Sequence, residues 1–129
     1  MRAQLQHIQP EASIINTSSA AGLTGFVGGT AYTASKHAVS GLTRSAAKGV
    51  GSKKIRVNAV APGYVVTPMT DKAAAIIGLS LGAMGPIKAS ALGRIGRAEE
   101  VAKLAVLLLG DDASYMTGTV IPIDGDLIC

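Results

Sequence analysis

Tryptophan is absent from this chain, phenylalanine occurs once and tyrosine three times, so there is no set of aromatic platforms on which nucleic-acid bases could stack. Charge is sparse as well: 12 lysines and arginines against 8 aspartates and glutamates give a formal net charge of +4. The basic residues are scattered, with Lys53-Lys54 the sole adjacent pair. That excludes a nucleic-acid footprint and leaves a mild field able to draw a phosphorylated small molecule. A single cysteine, Cys129, excludes an internal disulfide and suits a reducing compartment. No apolar run approaches the roughly 20 residues that span a bilayer, and the N-terminus lacks the apolar core of a secretory signal. The expectation is a cytoplasmic protein with no membrane partner. No metal is expected, because Asp111-Asp112 reads as a polar turn after Gly110 with no ligand pattern near it.

What the chain has in quantity is glycine, 16 residues, and apolar side chains, 48% of its 129 residues. This is the balance of one globular unit that buries surface. Residues 2–9 read as the end of a helix stopped by Pro10, and Ile14 to Thr17 as a short strand followed by a loop around Gly22, Gly25, Gly28 and Gly29. A helix is predicted from about Thr30 to Lys48, with Ala34, Ala38, Gly41 and Ser45 along one side. A glycine there costs about 1 kcal/mol against alanine, which points to close approach of another backbone at Gly41.

The stretch 55–61 alternates as a strand and ends in Pro62-Gly63. Residues 68–97, rich in glycine and alanine, read as a long functional loop with one or two short helices. Ala98 to Leu109 is a helix with Glu99 and Glu100 in its first turn and Gly110 at its end. Its second half is apolar all round, which predicts full burial. The last strand, Thr119 to Asp124, contains Pro122 and is therefore placed at a sheet edge. Alternating strands and helices predict a parallel α/β sheet with ligands at the carboxyl ends of the strands.

Tyr32 and Lys36 lie four residues apart in the long helix, a spacing that puts both on one face with Cβ atoms about 5–6 Å apart. A phenol with a reference pKa of about 10 exchanges protons poorly near neutrality unless a positive charge favours the phenolate. The Lys36 ammonium is placed to supply that charge. Upstream, the first strand runs into Thr17, Ser18 and Ser19, interchangeable by composition; the spacing to Tyr32 favours Ser19. Asn58, in mid-strand, reads as a hydrogen-bonding core residue, His37 as a surface or interface residue, and His7 as a histidine with no partner in sequence. A serine after a strand can also be a hydrolase nucleophile, but neither histidine is flanked by an acid.

Taken in order, the strand ending in Ser18-Ser19, the Tyr32-Thr33-Ala34-Ser35-Lys36 helix and the Pro62-Gly63-Tyr64-Val65-Val66-Thr67-Pro68 loop resemble the short-chain dehydrogenase/reductase family. The resemblance runs through Thr117 to Gly125 and so covers nearly the whole chain. It implies an α/β fold, the C-terminal half of a doubly wound parallel-sheet (Rossmann) domain, with 68–97 closing over the substrate. It implies a nicotinamide cofactor, NAD or NADP, and a small carbonyl or alcohol substrate. Tyr32 would be the general acid or base, Ser19 would hold the substrate oxygen, and Lys36 would contact the nicotinamide ribose. Pro62, Gly63, the backbone of Val65 and the hydroxyl of Thr67 would meet the rest of the nicotinamide end, though Thr67 could equally cap a following helix.

The long helix would pack against a neighbouring subunit in a homo-oligomer, a dimer or tetramer. The glycine-rich turn for the pyrophosphate and the residue that reads the adenine ribose are not found in these 129 residues. The expectation is therefore a chain that is inactive alone, with Ile14, Ile15, Val57 and Val60 left open to water. The alternative is a non-catalytic remnant that acts only through assembly with another chain.

Overall fold

The computed structural model of the chain describes residues 1–76 and 90–128. Three strands, β1 (Ser13–Thr17), β2 (Arg56–Pro62) and β3 (Val120–Ile123), form one parallel sheet in the order β1-β2-β3. The helices are α1 (Arg2–His7), α2 (Thr30–Val50), α3 (Pro68–Ile76) and α4 (Ala98–Leu109). The predicted elements are all present, with ends displaced by one or two residues. In the span read as a loop, 68–76 is helical, and 77–89 lies outside the described residues.

The register explains why β2 is apolar along most of its length. Ile14 sits opposite Val57, and Thr17 and Ile121 flank Val60. Successive side chains point to opposite faces, so Val57 joins Ile55, Ala46, Ala47 and Val50 beneath α2. Val60 turns the other way, to Leu108 and Ala113 beside α4. Both faces of β2 are thus covered within this chain, which corrects the expectation that Val57 and Val60 are left open. They are buried, whereas Ile14 and Ile15 on the outer strand are half-buried. β3, with Pro122, ends the strand order as expected.

Helix α4 departs from its prediction of full burial. Leu108 is wholly buried, but Val106, Leu107 and Leu109 are 69%, 47% and 49% exposed. A helix lying on one sheet face hides one stripe of side chains, and a second apolar stripe needs a second covering surface. Leu108→Ala is therefore expected to cost about 2–5 kcal/mol, and Leu107→Ala no more than about 0.5 kcal/mol. Urea unfolding of the two variants checks this. The C-terminus of α4 carries no basic residue in its last turn. Its orphan carbonyls are met from the sheet instead: Arg56 donates to Leu108 O at 2.7 Å, Leu109 O at 3.1 Å and Gly110 O at 3.0 Å.

On α2, Ala34, Ala38, Gly41 and Ser45 form an exposed outer side. Apart from its chain neighbours and the backbone of α2 itself, no atom of the described residues lies within 4 Å of where a Cβ at Gly41 would be, so the close backbone approach expected there is not made among them. Among the described residues no helix is long and apolar enough to cross a membrane.

Candidate functional site

The end of β1 is fastened to α2 by polar side chains that match the two periods of strand and helix. Asn16 Nδ2 donates to Thr43 Oγ1 at 3.0 Å, and Lys36 Nζ donates to Thr17 O at 3.1 Å. Ser18 Oγ lies 2.9 Å from Ser40 Oγ, and these two hydroxyls donate to the carbonyls of Lys36 and Gly22 at 3.0–3.2 Å. Gly22 allows this contact, since a Cβ there would run into Ser18 Oγ and come within 2.7 Å of Lys36 O.

The three hydroxyls that composition left equivalent are separated by this packing. Ser18 points inward, 3% exposed and committed to α2. Ser19 begins the next turn, where its Oγ accepts from Ala21 N–H at 3.2 Å. Its own hydroxyl proton has no acceptor among the described residues and is free to donate. One helical turn along α2, Lys36 Nζ stands 5.7 Å from the centroid of the Tyr32 ring, within cation–π range. Tyr32 is 44% exposed.

After β2 the chain turns at Gly63, where a Cβ would come within 2.7 Å of Asp124 Cβ and 2.9 Å of its Cα. A glycine is thus required there by the approach of the chain leaving β3. The loop that follows is held by Thr70, whose hydroxyl donates to Val65 O at 2.8 Å and accepts from Thr67 N–H at 3.0 Å. Thr67 Oγ1 in turn accepts from Thr70 N–H at 3.3 Å, so Thr67 does cap α3. Thr70 was passed over in the sequence, although two threonines three apart at a helix start are a readable reciprocal cap.

Two adjoining clefts open at this end of the sheet. The inner one, about 280 Å³, is lined by every residue to which the family resemblance gives a site role: Ser19, Tyr32, Lys36, Pro62, Gly63, Val65 and Thr67. The outer one, about 410 Å³, shares Ser19, Tyr32, Pro62, Gly63, Met69 and Thr70 and extends to Phe26, Val27, Tyr64 and Leu127. Of these, Phe26, Val27 and Leu127 belong to no motif singled out in the sequence. Their signal lies only in which loops the fold brings together.

The floor of the Val65 loop is tied to the start of α4. Gly96 N–H donates to Tyr64 O at 2.9 Å, and Val66 N–H donates to Gly96 O at 3.0 Å. Glu100 anchors that tie: its carboxylate takes both arms of the Arg94 guanidinium at 3.0 and 2.6 Å and the Arg97 N–H at 2.8 Å. The Arg94 hydrogen bonds and then the Arg97 N–H hold the Glu100 carboxyl down at about 2, from an ordinary 4.5. A depressed carboxyl contributes its stability above the ordinary value and loses it as pH falls. Acid unfolding is expected to include a component between pH 4.5 and about 2 that is missing in Glu100→Gln, measured by circular dichroism.

Asn58 is fully buried, donating to Met116 O at 2.7 Å and accepting from Thr119 N–H at 3.2 Å, the core role expected of it. His37 is exposed, with Nδ1 3.0 Å from Thr33 O. The run Gly78-Leu79-Ser80-Leu81-Gly82 matches the Gly-x-Ser-x-Gly pattern of a hydrolase elbow and lies outside the described residues. The element before it is helix α3, whereas an elbow follows a strand.

Known proteins match this chain in sequence and in fold. A family model described as enoyl-(acyl carrier protein) reductase matches residues 1–126. The chain is 47% identical over 133 residues to the short-chain dehydrogenase/reductase aba4 of Botryotinia fuckeliana, over 100% of this chain and 50% of that protein. It is 44% identical over 127 residues to the 3-oxoacyl-(acyl-carrier-protein) reductase FabG of Thermotoga maritima, over 93% of this chain and 47% of that protein. The crystal structure of a short chain dehydrogenase family protein from Francisella tularensis superposes with a TM-score of 0.85 at 34% identity, over 96% of this chain and 54% of that one. ElxO, solved with NADP bound, superposes with a TM-score of 0.79 at 36% identity, over 90% and 46% of the two chains. The chain therefore spans about half the length of the curated relatives it matches. A parallel sheet, a strand-end serine beside a Tyr-x-x-x-Lys helix, and a match to the family model over residues 1–126 lead to one assignment: the chain belongs to the short-chain dehydrogenase/reductase family.

Proposed function

We propose that this chain is the catalytic half of a nicotinamide-dependent oxidoreductase, which reduces a carbonyl or oxidises a secondary alcohol by hydride transfer. Residues 1–129 would form the second half of a single Rossmann-type domain. The observation that carries this reading is the gathering of Ser19, Tyr32, Lys36, Pro62, Gly63, Val65 and Thr67 around one cleft. That cleft lies at the carboxyl ends of parallel strands, where open α/β sheets take their ligands.

The donor set suits a nicotinamide nucleoside. Lys36 gives one N–H to Thr17 O and keeps others for ribose hydroxyls. The Val65 backbone and the Thr67 hydroxyl edge the same cleft. NAD and NADP are both compatible with these residues, which would hold only the nicotinamide end. When bound, the nicotinamide supplies or accepts the hydride. Ser19 donates its free hydroxyl proton to the substrate oxygen as charge develops there. Tyr32 gives that oxygen its proton in reduction and takes it back in oxidation. Lys36, over the ring, offsets the charge left on the phenol oxygen.

β1 ends the strand order with its apolar residues half-buried. This favours a second reading, in which the chain acts only through assembly with another chain. A homo-oligomer joined through the outer sides of α2 and α4 is compatible with either.

The test joins residues 1–129 to the first half of the Thermotoga maritima relative and follows NADH and NADPH consumption with a panel of ketones. Turnover abolished by Tyr32→Phe is the expected result. A folded hybrid that binds dinucleotide and turns over no faster than its Tyr32→Phe form would overturn the catalytic reading and favour the assembly one.

A further inference from the structure

The outer cleft differs in character from everything around it. No aspartate, glutamate, lysine, arginine or histidine is among the described residues that line it, and at about 410 Å³ it falls within the usual range of small-molecule sites. The charges of the neighbourhood lie elsewhere. Lys36 faces the inner cleft, while Arg94, Arg97, Glu100 and Asp124 gather around a separate cavity of about 90 Å³ lined also by Tyr64 and Val65. Of these, Arg94 and Glu100 satisfy each other.

The walls of the outer cleft are apolar and open to water. Val27, on the loop before α2, is fully exposed, and Met69, in the first turn of α3, is 66% exposed. Phe26 and Leu127 belong to the same apolar lining, with Ala20, Ala21 and Pro62. Bulky apolar side chains left uncovered around a concavity mark a place where apolar surface is to be buried. The polar groups within it, the hydroxyls of Ser19 and Tyr32 among them, are neutral donors suited to a single oxygen.

We infer that the outer cleft takes a neutral, predominantly apolar ketone or secondary alcohol, such as an alicyclic one, and discriminates against substrates bearing a carboxylate or phosphate near the reacting carbon. This rests on the assignment of Ser19 and Tyr32 to the substrate oxygen. A carboxylate placed among Phe26, Val27, Met69 and Leu127 would give up hydration with no cation among the described lining residues to replace it, a cost above that of a neutral group. A ring methylene there gains about 0.8 kcal/mol of burial, or roughly fourfold in affinity.

The test is saturation-transfer NMR of the full chain with two ligands of one shape, 4-methylcyclohexanone and 4-oxocyclohexanecarboxylate, at pH 7. Cyclopentanone and cycloheptanone report the methylene increment. This readout needs no turnover and works on a self-associated chain as well as on a monomer. The neutral ketone is expected to bind at least about tenfold more tightly than the carboxylate, with affinity rising about three- to fourfold per ring methylene.

Met69→Lys or Val27→Lys is expected to strengthen carboxylate binding about tenfold and to weaken neutral-ketone binding, so that the ratio between the two falls by at least about tenfold. Val27 is fully exposed, so its variant reports even where Met69→Lys does not fold. Equal or tighter binding of the carboxylate, an absence of transfer to any ketone, or an unchanged ratio in the folded lysine variants would each overturn the inference. Retained selectivity in a protein that reduces no ketone would support it and count against the catalytic reading alone.

Discussion

Tyr32→Phe, in the hybrid that completes the domain, is expected to lower carbonyl reduction on the order of 10²- to 10⁴-fold, the usual contribution of a general acid. Cofactor affinity should stay within a few-fold. The substitution removes one oxygen from a side chain that is 44% exposed, and exposed substitutions of this kind change stability by no more than about 0.5 kcal/mol. The ring itself, and with it the Lys36 contact at 5.7 Å, is retained. Loss of turnover with folding and binding intact would therefore belong to the proton alone. Turnover by Tyr32→Phe within tenfold of the parent would remove Tyr32 from the chemistry and leave it as one wall of two clefts.

Lys36→Met is expected to act on two quantities at once. The ammonium is the group that would contact the ribose, and a hydrogen bond to a charged donor contributes about 1.5–3 kcal/mol. Cofactor binding should weaken about 10- to 100-fold. Turnover at saturating cofactor should also fall, because the charge above the Tyr32 ring is gone. The same change deletes the hydrogen bond to Thr17 O at 3.1 Å, which fastens α2 to β1, so thermal unfolding is measured alongside. A lowered melting temperature with cofactor affinity and turnover unchanged would make Lys36 a purely structural strut between strand and helix.

How much of this was readable beforehand depends on the range of the interaction. The pairing of Tyr32 with Lys36 was legible because two residues four apart on a helix share a face whatever surrounds them. The parallel α/β order, the Pro62-Gly63 turn, the capping threonine at 67 and the buried amide of Asn58 were legible on similar grounds. Each follows from a local preference of the backbone or from a polar group set within an apolar strand.

Other features were decided only by residues distant in the chain. Ser18 and Ser19 are neighbours of one residue type, and in the sequence only the spacing to Tyr32 favours Ser19. Ser18 is drawn inward by Ser40, 22 residues on, and Ser19 is thereby left at the cleft. The all-apolar second half of α4 could not say which of its sides meets the sheet. Leu108 is the one buried, set against Val60 and Ala113, while Val106, Leu107 and Leu109 remain exposed. The outer cleft is the extreme case, since Phe26, Tyr64, Met69 and Leu127 come from four separate segments. Spacing along the chain determines what a helix or strand presents on each face. Only packing determines which face is covered, and therefore which of several equivalent side chains is left to meet a substrate.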